Sequence, residues 1–360
     1  MGVRQPLKKM ADPGGRAVHS ELQLNATTTM ILAGDIGGTK CTLTHFDCAG
    51  SQVKPVFRSS SPTREVASME SLLDDFRTQA QRKGLHLKGQ LRAAGLGVAG
   101  TIVDGRTVSN NLPWIVESNA VAGAVGVAPE RMLLLNDLVA AASSLAHLQP
   151  SDLLQLNEGS AEPRAPKALI AAGTGLGEAI LFWDGSGYRV SPSEASLTDF
   201  APRNDRELLL LQSLRQRMPR VCTEEIVSGR GFRAIHQIIF PGVHHSFFDE
   251  PGVDHAAMIT QQAFAESCPA CMETLQIWTE AYAAEAGNMA LRILPFGGVY
   301  IAGGIALKIL PKLTQGSFVR VFSDRAKLST QLAKIPIYVV LNEDAPVLGA
   351  AYEALALARG

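Results

Sequence analysis

Two stretches of the chain decide its fold: residues 30–47, MILAGDIGGTKCTLTHFD, and residues 168–184, ALIAAGTGLGEAILFWD. In each stretch an apolar strand enters a glycine-rich turn and a second strand leaves it, which predicts a hairpin. The two hairpins share the same order of features, and both end on Asp. A duplication of this kind predicts two related α/β lobes that face one cleft.

Between and after these hairpins the chain alternates strands with helices. Residues 132–135 form an apolar strand that leads directly into Asn136 and Asp137 at the start of an Ala-rich helix. A long helix is predicted for residues 274–294 and a last one for residues 346–359. This alternation indicates the α/β class.

Length and composition exclude several classes of protein. A chain of 360 residues is expected to form two domains, and 46% hydrophobic with 19% charged residues is typical of globular proteins. The net charge of −1 offers no basic field for nucleic acid or an anionic membrane. No stretch approaches the ~20 apolar residues of a membrane span. Residues 1–27 are polar, so we expect a disordered leader and not a secretory signal.

The five cysteines, an odd number, favour a reducing compartment and a cytoplasmic location. Cys268 and Cys271 form a CPAC pair that could be half of a zinc site. A structural zinc site needs about four ligands, and no second CxxC or HxxxH is present. Residues 260–275 also have the pattern of a helix, so a purely structural role is favoured for the pair.

A GxGxxG pattern at Gly95, Gly97 and Gly100 does not indicate a dinucleotide fold. That fingerprint requires a helix after the loop, whereas this loop continues into another strand. A P-loop is absent from the sequence as well. Three glycine turns at strand ends remain: Gly37-Gly38, Gly173-Thr174-Gly175 and Gly303-Gly304.

Glycine turns allow a phosphate to approach the backbone, and successive amides can form an anion-binding nest. Thr39 and Lys40 add a hydroxyl and a cation to the first turn, and Thr174 adds a hydroxyl to the second. Asp35 precedes the first turn and follows an apolar run, where a carboxylate needs a partner. That partner is either a hydrated Mg²⁺ carried by a nucleotide or, if Asp35 caps the turn, the backbone of the turn itself.

The motifs of the chain resemble, in order, those of the bacterial-type ATP-dependent glucokinases over residues 31–357. They are DIGGTK, LGVAGTIVDGR, NNLPW, LLLNDL, AAGTGLG, EASLTDFAPR, TEEIVSGRG, EAGNMALR and GGVYIAGGI. The resemblance implies a two-lobed actin-like ATPase (ribonuclease H-like) fold that binds a sugar and MgATP in its cleft. It further implies a small domain over 28–147 joined by helix 346–360, a large domain over 148–345, and a homodimer.

The resemblance also assigns roles. Asp137 matches the catalytic base, which phosphoryl transfer needs to accept a hydroxyl proton. The matched sugar contacts are Asn111, Asn136, Asp137, Glu194 and Glu224. The matched nucleotide contacts are Asp35 (through Mg²⁺), Gly37, Gly38, Thr39, Lys40, Gly173, Thr174, Gly175, Gly303 and Gly304. Helix capping is an alternative role for Asn136 or Asp137, but only one of them can cap.

One departure concerns the sugar. The family usually has Glu-Gly-Gly-His where this chain has Glu194-Ala195-Ser196-Leu197. Leucine cannot form the hydrogen bond of that histidine, which predicts weaker glucose binding, preference for another hexose, or a sugar-sensing role without useful turnover. A sugar-responsive repressor is disfavoured, because residues 1–30 show no pair of DNA-binding helices.

Overall fold

The computed structural model describes residues 29–85, 91–109 and 112–360. The leader predicted at 1–27 and the sugar contact predicted at Asn111 lie outside these residues. The strands of the described part are β1 (Thr29–Ile36), β2 (Lys40–Ala49), β3 (Gln52–Pro62), β4 (Leu91–Val98), β5 (Thr101–Val103), β6 (Arg106–Val108), β7 (Met132–Asn136), β8 (Leu153–Gln155), β9 (Lys167–Ala172), β10 (Leu176–Trp183), β11 (Tyr188–Ser193), β12 (Val299–Ala302) and β13 (Ile337–Val340).

Two sheets repeat one arrangement. The first has the order β3-β2-β1-β4-β7 and the second the order β11-β10-β9-β12-β13-β8. In each, an antiparallel three-strand meander is followed by two strands parallel to the first strand of that meander. β8 adds an antiparallel edge to the second sheet, and β5 and β6 pair separately. The predicted duplication of α/β lobes is therefore confirmed.

The α-helices of the described part are α1 (Met69–Arg82), α2 (Ser118–Val125), α3 (Asp137–Ser144), α4 (Asp205–Arg215), α5 (Gly229–Ile239), α6 (His255–Phe264), α7 (Pro269–Ile293), α8 (Gly304–Lys308), α9 (Leu310–Leu313), α10 (Ser317–Ser323), α11 (Ser329–Leu332) and α12 (Ala345–Arg359). None of these helices combines the length and apolar composition required to cross a bilayer. The largest core lies in the second lobe, where α7 buries Trp278 and Tyr282 completely.

Helices α3 and α12 lie between the two sheets. Ala140 on α3 belongs to the core of the first sheet, whereas Ala141 and Leu145 belong to a core with strands of the second. The two helices approach closely: a β-carbon on Gly349 of α12 would lie 1.7 Å from the carbonyl oxygen of Ala140. Only glycine permits that crossing, because any side chain would overlap the backbone of α3. The C-terminal helix thus packs on the first lobe, although the domain limits remain a prediction.

Two local expectations were wrong. The segment 260–275 is not one helix, because α6 ends at Phe264 and α7 begins at Pro269 with Cys268 as its N-cap. Proline fits the first position of a helix, where its missing N–H costs nothing. The long helix accordingly starts five residues before the predicted residue 274. As expected for a loop outside a dinucleotide fold, β4 is followed by strand β5.

Candidate active site

Asp35 lies near the carboxyl end of β1, where strand pairing sets it opposite Gly97 on β4. None of the described residues donates a hydrogen bond to its carboxylate. Burial and the negative charge of Asp137 raise the pKa of Asp35 to about 7, although Lys40 and Arg58 act in the opposite direction. A largely buried carboxylate without a protein partner is suited to bind a cation.

Asp137 opens α3 directly after β7, but it does not cap the helix. Asn136 is the cap: its Oδ1 accepts hydrogen bonds from the amides of Leu138 and Val139, at 2.9 and 3.3 Å. Its Nδ2 donates to the carbonyl oxygen of Gly100 at 3.0 Å. The choice between the two neighbours as cap is thereby settled, and the carboxylate of Asp137 remains available for another purpose.

The environment of Asp137 favours proton uptake. One oxygen, Oδ1, accepts from the Leu138 amide at 2.9 Å. Burial raises the pKa of Asp137, backbone hydrogen bonds oppose that rise, and the nearby charge of Glu194 adds to it. A carboxylate with a raised pKa is a stronger base, which suits it to accept a proton from a hydroxyl group.

Gly97 separates the two carboxylate-bearing segments. A β-carbon at this position would lie 2.8 Å from the Cβ of Ala140 and 3.5 Å from the Cα of Asp137. The glycine lets α3 approach the end of the sheet, and so brings Asp35 and Asp137 into electrostatic contact. The GxGxxG pattern therefore serves close packing of a helix, not dinucleotide binding.

The first glycine turn is held by residues from both ends of the β1–β3 meander. The Gly37 amide donates to the carbonyl oxygen of Lys40 at 3.0 Å, and Thr63 Oγ1 donates to that of Gly37 at 2.6 Å. The Thr63 amide also donates to the carbonyl oxygen of Thr39. A surface pocket of about 510 Å³ adjoins the turn, lined by Gly38, Thr39, Lys40, Ser60, Ser61, Pro62 and Arg64. Its two cations and several hydroxyls match what a phosphate chain requires.

The second and third turns adjoin each other in the second lobe. The Gly173 amide donates to the carbonyl oxygen of Gly175 at 2.8 Å, and Thr174 at the tip is exposed. Gly303 has φ of 88°, and a β-carbon there would lie 2.4 Å from the carbonyl oxygen of Ala172, just before the second turn. Gly304, where a β-carbon would have no atom within 4 Å, leaves open space beside the third turn.

The predicted sugar residues of the second lobe lie at its edge facing α3. Glu194 follows β11 directly, and its charge contributes to the raised pKa of Asp137. Glu224 accepts from the Leu176 amide at 3.0 Å and from Arg230 at 2.5 Å, so it also supports the second turn. Leu197 is 49% exposed on a short 3₁₀ segment one turn after Glu194.

Sequence reasoning missed three residues around these groups. Arg58 on β3 pairs with Asp344 at the start of α12, and both act on the pKa of Asp35. No local pattern connects these two positions, which lie 286 residues apart. Arg230 pairs with Glu224 and Glu225. The only feature of the sequence that indicated this contact is the position of Arg230, six residues after Glu224 and at the start of a helix.

Comparison with known proteins gives a consistent result. A family model described as Glucokinase matches residues 32–357. A glucokinase of Nostoc sp. is 34% identical over 342 residues, covering 90% of this chain and 98% of that protein.

Solved structures extend the comparison. A glucokinase from an Antarctic psychrotroph has 25% identity and a TM-score of 0.76, over 91% of this chain and 99% of the other. The glucokinase of Balamuthia mandrillaris, solved with glucose, has 20% identity and a TM-score of 0.76, over 94% and 96%. The latter likeness concerns the fold.

Proposed function

The chain belongs to the glucokinase family, whose members are sugar kinases, and from this premise we propose that it transfers the γ-phosphoryl group of MgATP to the 6-hydroxyl of glucose. The observation that carries the proposal is the pair formed by Asp35 and Asp137, at the carboxyl ends of β1 and β7 on either side of β4 in one sheet. One carboxylate lacks a protein partner and the other has a raised pKa. Phosphoryl transfer needs both a site for a cation and a proton acceptor.

Asp137 acts as the general base in this proposal. Its fixed position on α3, with Asn136 completing the cap, holds the carboxylate where a sugar hydroxyl in the cleft would meet it. Glu194 and Glu224 accept further sugar hydroxyls. Glu224 needs only a modest adjustment for that role, because carboxylate oxygens accept more than one hydrogen bond.

The nucleotide occupies the side of the cleft formed by the three glycine turns. Lys40 and the amides of the first turn neutralise phosphate charge, while Thr174 and the second turn bind from the other lobe. The residues present fit a hydrated Mg²⁺ carried by the nucleotide, because the carboxylate of Asp35 accepts no hydrogen bond from the described residues and can face the water shell of the ion. When bound, the ion would neutralise charge on the phosphates.

Leu197 supports one alternative within the same chemistry, a kinase for another hexose. The side chain is half exposed and cannot hydrogen bond with a sugar. A catalytically weak sensor is the second alternative. It is disfavoured because a protein without turnover has no chemical need for Asp137 in its present environment.

We further propose that the protein works in the cytoplasm as a homodimer. All five cysteines are free thiols in the structure, in agreement with a reducing compartment. The dimer rests on the family resemblance alone, and sedimentation of the purified chain tests it.

The decisive experiment follows ADP formation from MgATP with a panel of hexoses, for the native chain and for Asp137→Asn. Turnover on glucose that falls about 10²–10⁴-fold in the variant supports the proposal. Turnover on a different hexose corrects the substrate and keeps the mechanism. Absence of turnover on every sugar, with nucleotide binding intact, would overturn the proposal in favour of the sensor.

A further inference from the structure

Two cysteines and two histidines meet in the second lobe, outside the residues assigned to the active site. Cys268 and Cys271 are at the start of α7, His236 is on α5, and His245 belongs to the loop that follows α5. We call these four residues the Cys–His cluster. One ring nitrogen of each histidine and the Sγ of Cys271 all lie within 4.8 Å of one another.

The distances around His245 match those of a tetrahedral metal site. Its Nε2 lies 3.5 Å from the Sγ of Cys268 and 3.4 Å from the Sγ of Cys271. With metal–sulfur bonds near 2.3 Å and metal–nitrogen bonds near 2.1 Å, the edge of a tetrahedron between sulfur and nitrogen is about 3.6 Å. Both sulfurs are therefore already at the distance from His245 Nε2 that a common ion requires.

His236 presents an unused lone pair. Its Nδ1 lies 3.1 Å from Thr274 Oγ1, whose own hydrogen is donated to the carbonyl oxygen of Ala270 at 2.7 Å. The hydroxyl must consequently accept from Nδ1–H, and in the neutral ring this leaves Nε2 without a proton. That Nε2 is buried and no described residue meets full hydrogen-bond geometry with it, although the backbone of Val243 lies close to the ring and would have to yield to an ion. Orientation of a histidine by a hydrogen bond at its other nitrogen is typical of metal ligands.

The local backbone also fixes the position of the two sulfurs at the start of α7. Cys268 is the N-cap of α7, and its Sγ accepts a hydrogen bond from the Cys271 amide at 3.3 Å. Pro269 at the first helical position fixes the turn that brings the two sulfurs to one side.

From this arrangement we infer that the Cys–His cluster binds one Zn²⁺ in a closed site of two sulfurs and two nitrogens. Binding releases the two thiol protons to solvent, because the thiolate is the ligand form. The ligand atoms of His236, His245 and Cys271, which lie within 4.8 Å of one another, must contract by about 1 Å. The Sγ of Cys268 is already 3.5 Å from His245 Nε2 and must also approach His236, and the loop carrying the half-buried His245 permits both movements. The ion joins that loop to α5 and α7, and serves stability.

The sequence concealed this site because its nitrogen ligands do not follow a familiar spacing. The two histidines are nine residues apart on a helix and a loop, and the cysteines follow more than twenty residues later. The expectation of a purely structural CPAC pair rested on the lack of a second CxxC or HxxxH. Tertiary packing supplies the two ligands that the local motif lacks.

The test is metal binding by the whole chain, treated with a chelator and then titrated with Zn²⁺ alone in competition with a chromogenic chelator. We expect one high-affinity equivalent per chain and a rise in melting temperature with Zn²⁺. Substitution with Co²⁺ should give the visible absorption of a tetrahedral site together with a thiolate-to-cobalt charge-transfer band. Removing a residue that only hydrogen bonds to a metal ligand typically costs about 10–100-fold in metal affinity. Removing a ligand itself should cost more, so Cys268→Ser and His245→Ala should each lower Zn²⁺ affinity by about 100-fold or more.

His244→Ala is the matched control, since this exposed neighbour of His245 pairs with Asp249 and is not a ligand. It should bind Zn²⁺ as the native chain does. Sugar phosphorylation should persist in Cys268→Ser and His245→Ala, which shows that these variants fold. Failure of the native chain to take up Zn²⁺ or Co²⁺, or equal binding by the ligand variants and the control, would overturn the inference and leave thiol–imidazole hydrogen bonds as the explanation.

Discussion

Asp35 and Asp137 are held on opposite sides of a single glycine. Asp35 pairs with Gly97 across two parallel strands, and the Cα of Asp137 lies 3.5 Å from the place of a β-carbon on that glycine. The separation of the two carboxylates thus depends on a residue that has no side chain. The first prediction tests this dependence.

Gly97→Ala should lower kcat by about ten- to a hundred-fold, because a displacement of about 1 Å at a reacting group has that effect. The added methyl would lie 2.8 Å from Ala140 Cβ and would push α3 away from the sheet. Steady-state kinetics and melting temperature measure the effect. Gly123→Ala is the control, since a β-carbon there meets no atom within 4 Å. Unchanged kcat in Gly97→Ala would contradict this account of the site.

Nucleotide binding should depend on pH through Asp35. Its pKa of about 7 means that protons compete with the cation for the carboxylate near neutral pH. The affinity for MgADP should fall about fivefold from pH 7 to one unit below, because the ionised fraction falls from about a half to about a tenth. Calorimetry measures the MgADP affinity of the native chain and of Asp35→Asn at each pH. The comparison corrects for protonation of the nucleotide, which affects both proteins equally. Identical pH profiles for the two proteins would refute the role of Asp35.

Leu197→His should lower the KM for glucose. A restored hydrogen bond contributes about 1–3 kcal/mol when fully buried, which corresponds to about five- to a hundred-fold in affinity. Leu197 is 49% exposed, so water competes and we expect the lower part of that range. Leu197→Met, of similar size and without a strong hydrogen-bonding group, should leave KM unchanged. If both variants behave alike, the histidine position does not set sugar affinity in this chain.

Glu178 should make the fold less stable as pH rises. Burial and the neighbouring Glu285 raise the pKa of Glu178 to about 8, against an ordinary value of 4.5, and both its oxygens lack partners among the described residues. Between these two pH values the folded state holds a proton that the unfolded state has lost. The free energy of unfolding therefore falls with rising pH in that window.

Glu178→Gln should remove the part of this fall that comes from Glu178, while the part from Asp35, whose pKa is likewise raised from 3.8 to about 7, should remain. Urea unfolding at a series of pH values measures both parts. Glu285→Gln is the contrasting variant. Glu285 is paired with Arg292 at 2.9 Å and accepts from Asn288 at 3.1 Å, so its neutralisation should destabilise the fold. A native chain whose stability is constant from pH 5 to pH 8 would exclude a neutral Glu178.

Local patterns predicted the elements that depend on neighbouring residues. The hairpins around Gly37 and Gly173 follow from apolar strands that meet a glycine turn, and α3 follows from a strand ending at Asn136. The edge strands β3 and β11 were not identified, because their partly exposed residues lack a continuous apolar pattern. Edge strands carry polar residues and proline for good reason, since these discourage pairing with other chains.

Long-range relations could not be predicted in the same way. The pairing of Arg58 with Asp344 depends on the return of α12 to the first sheet, and the approach of His236 to Cys271 depends on the packing of α5 against α7. The sequence predicted that either Asn136 or Asp137 caps α3 but could not say which. The hydrogen bonds of the folded chain, which the sequence does not contain, identify Asn136 as the cap.

The crossing of α3 and α12 has a mechanical consequence. Ala140 and Gly349 meet backbone to backbone, and the Ser143 hydroxyl on α3 donates to Glu353 on α12 at 2.7 Å, so the two helices are held together as one unit on the first sheet. We therefore expect the lobes to approach each other by movement of the second sheet against this helix pair, a motion that keeps Asp137 beside Asp35 while the edge of the second lobe advances over the bound sugar.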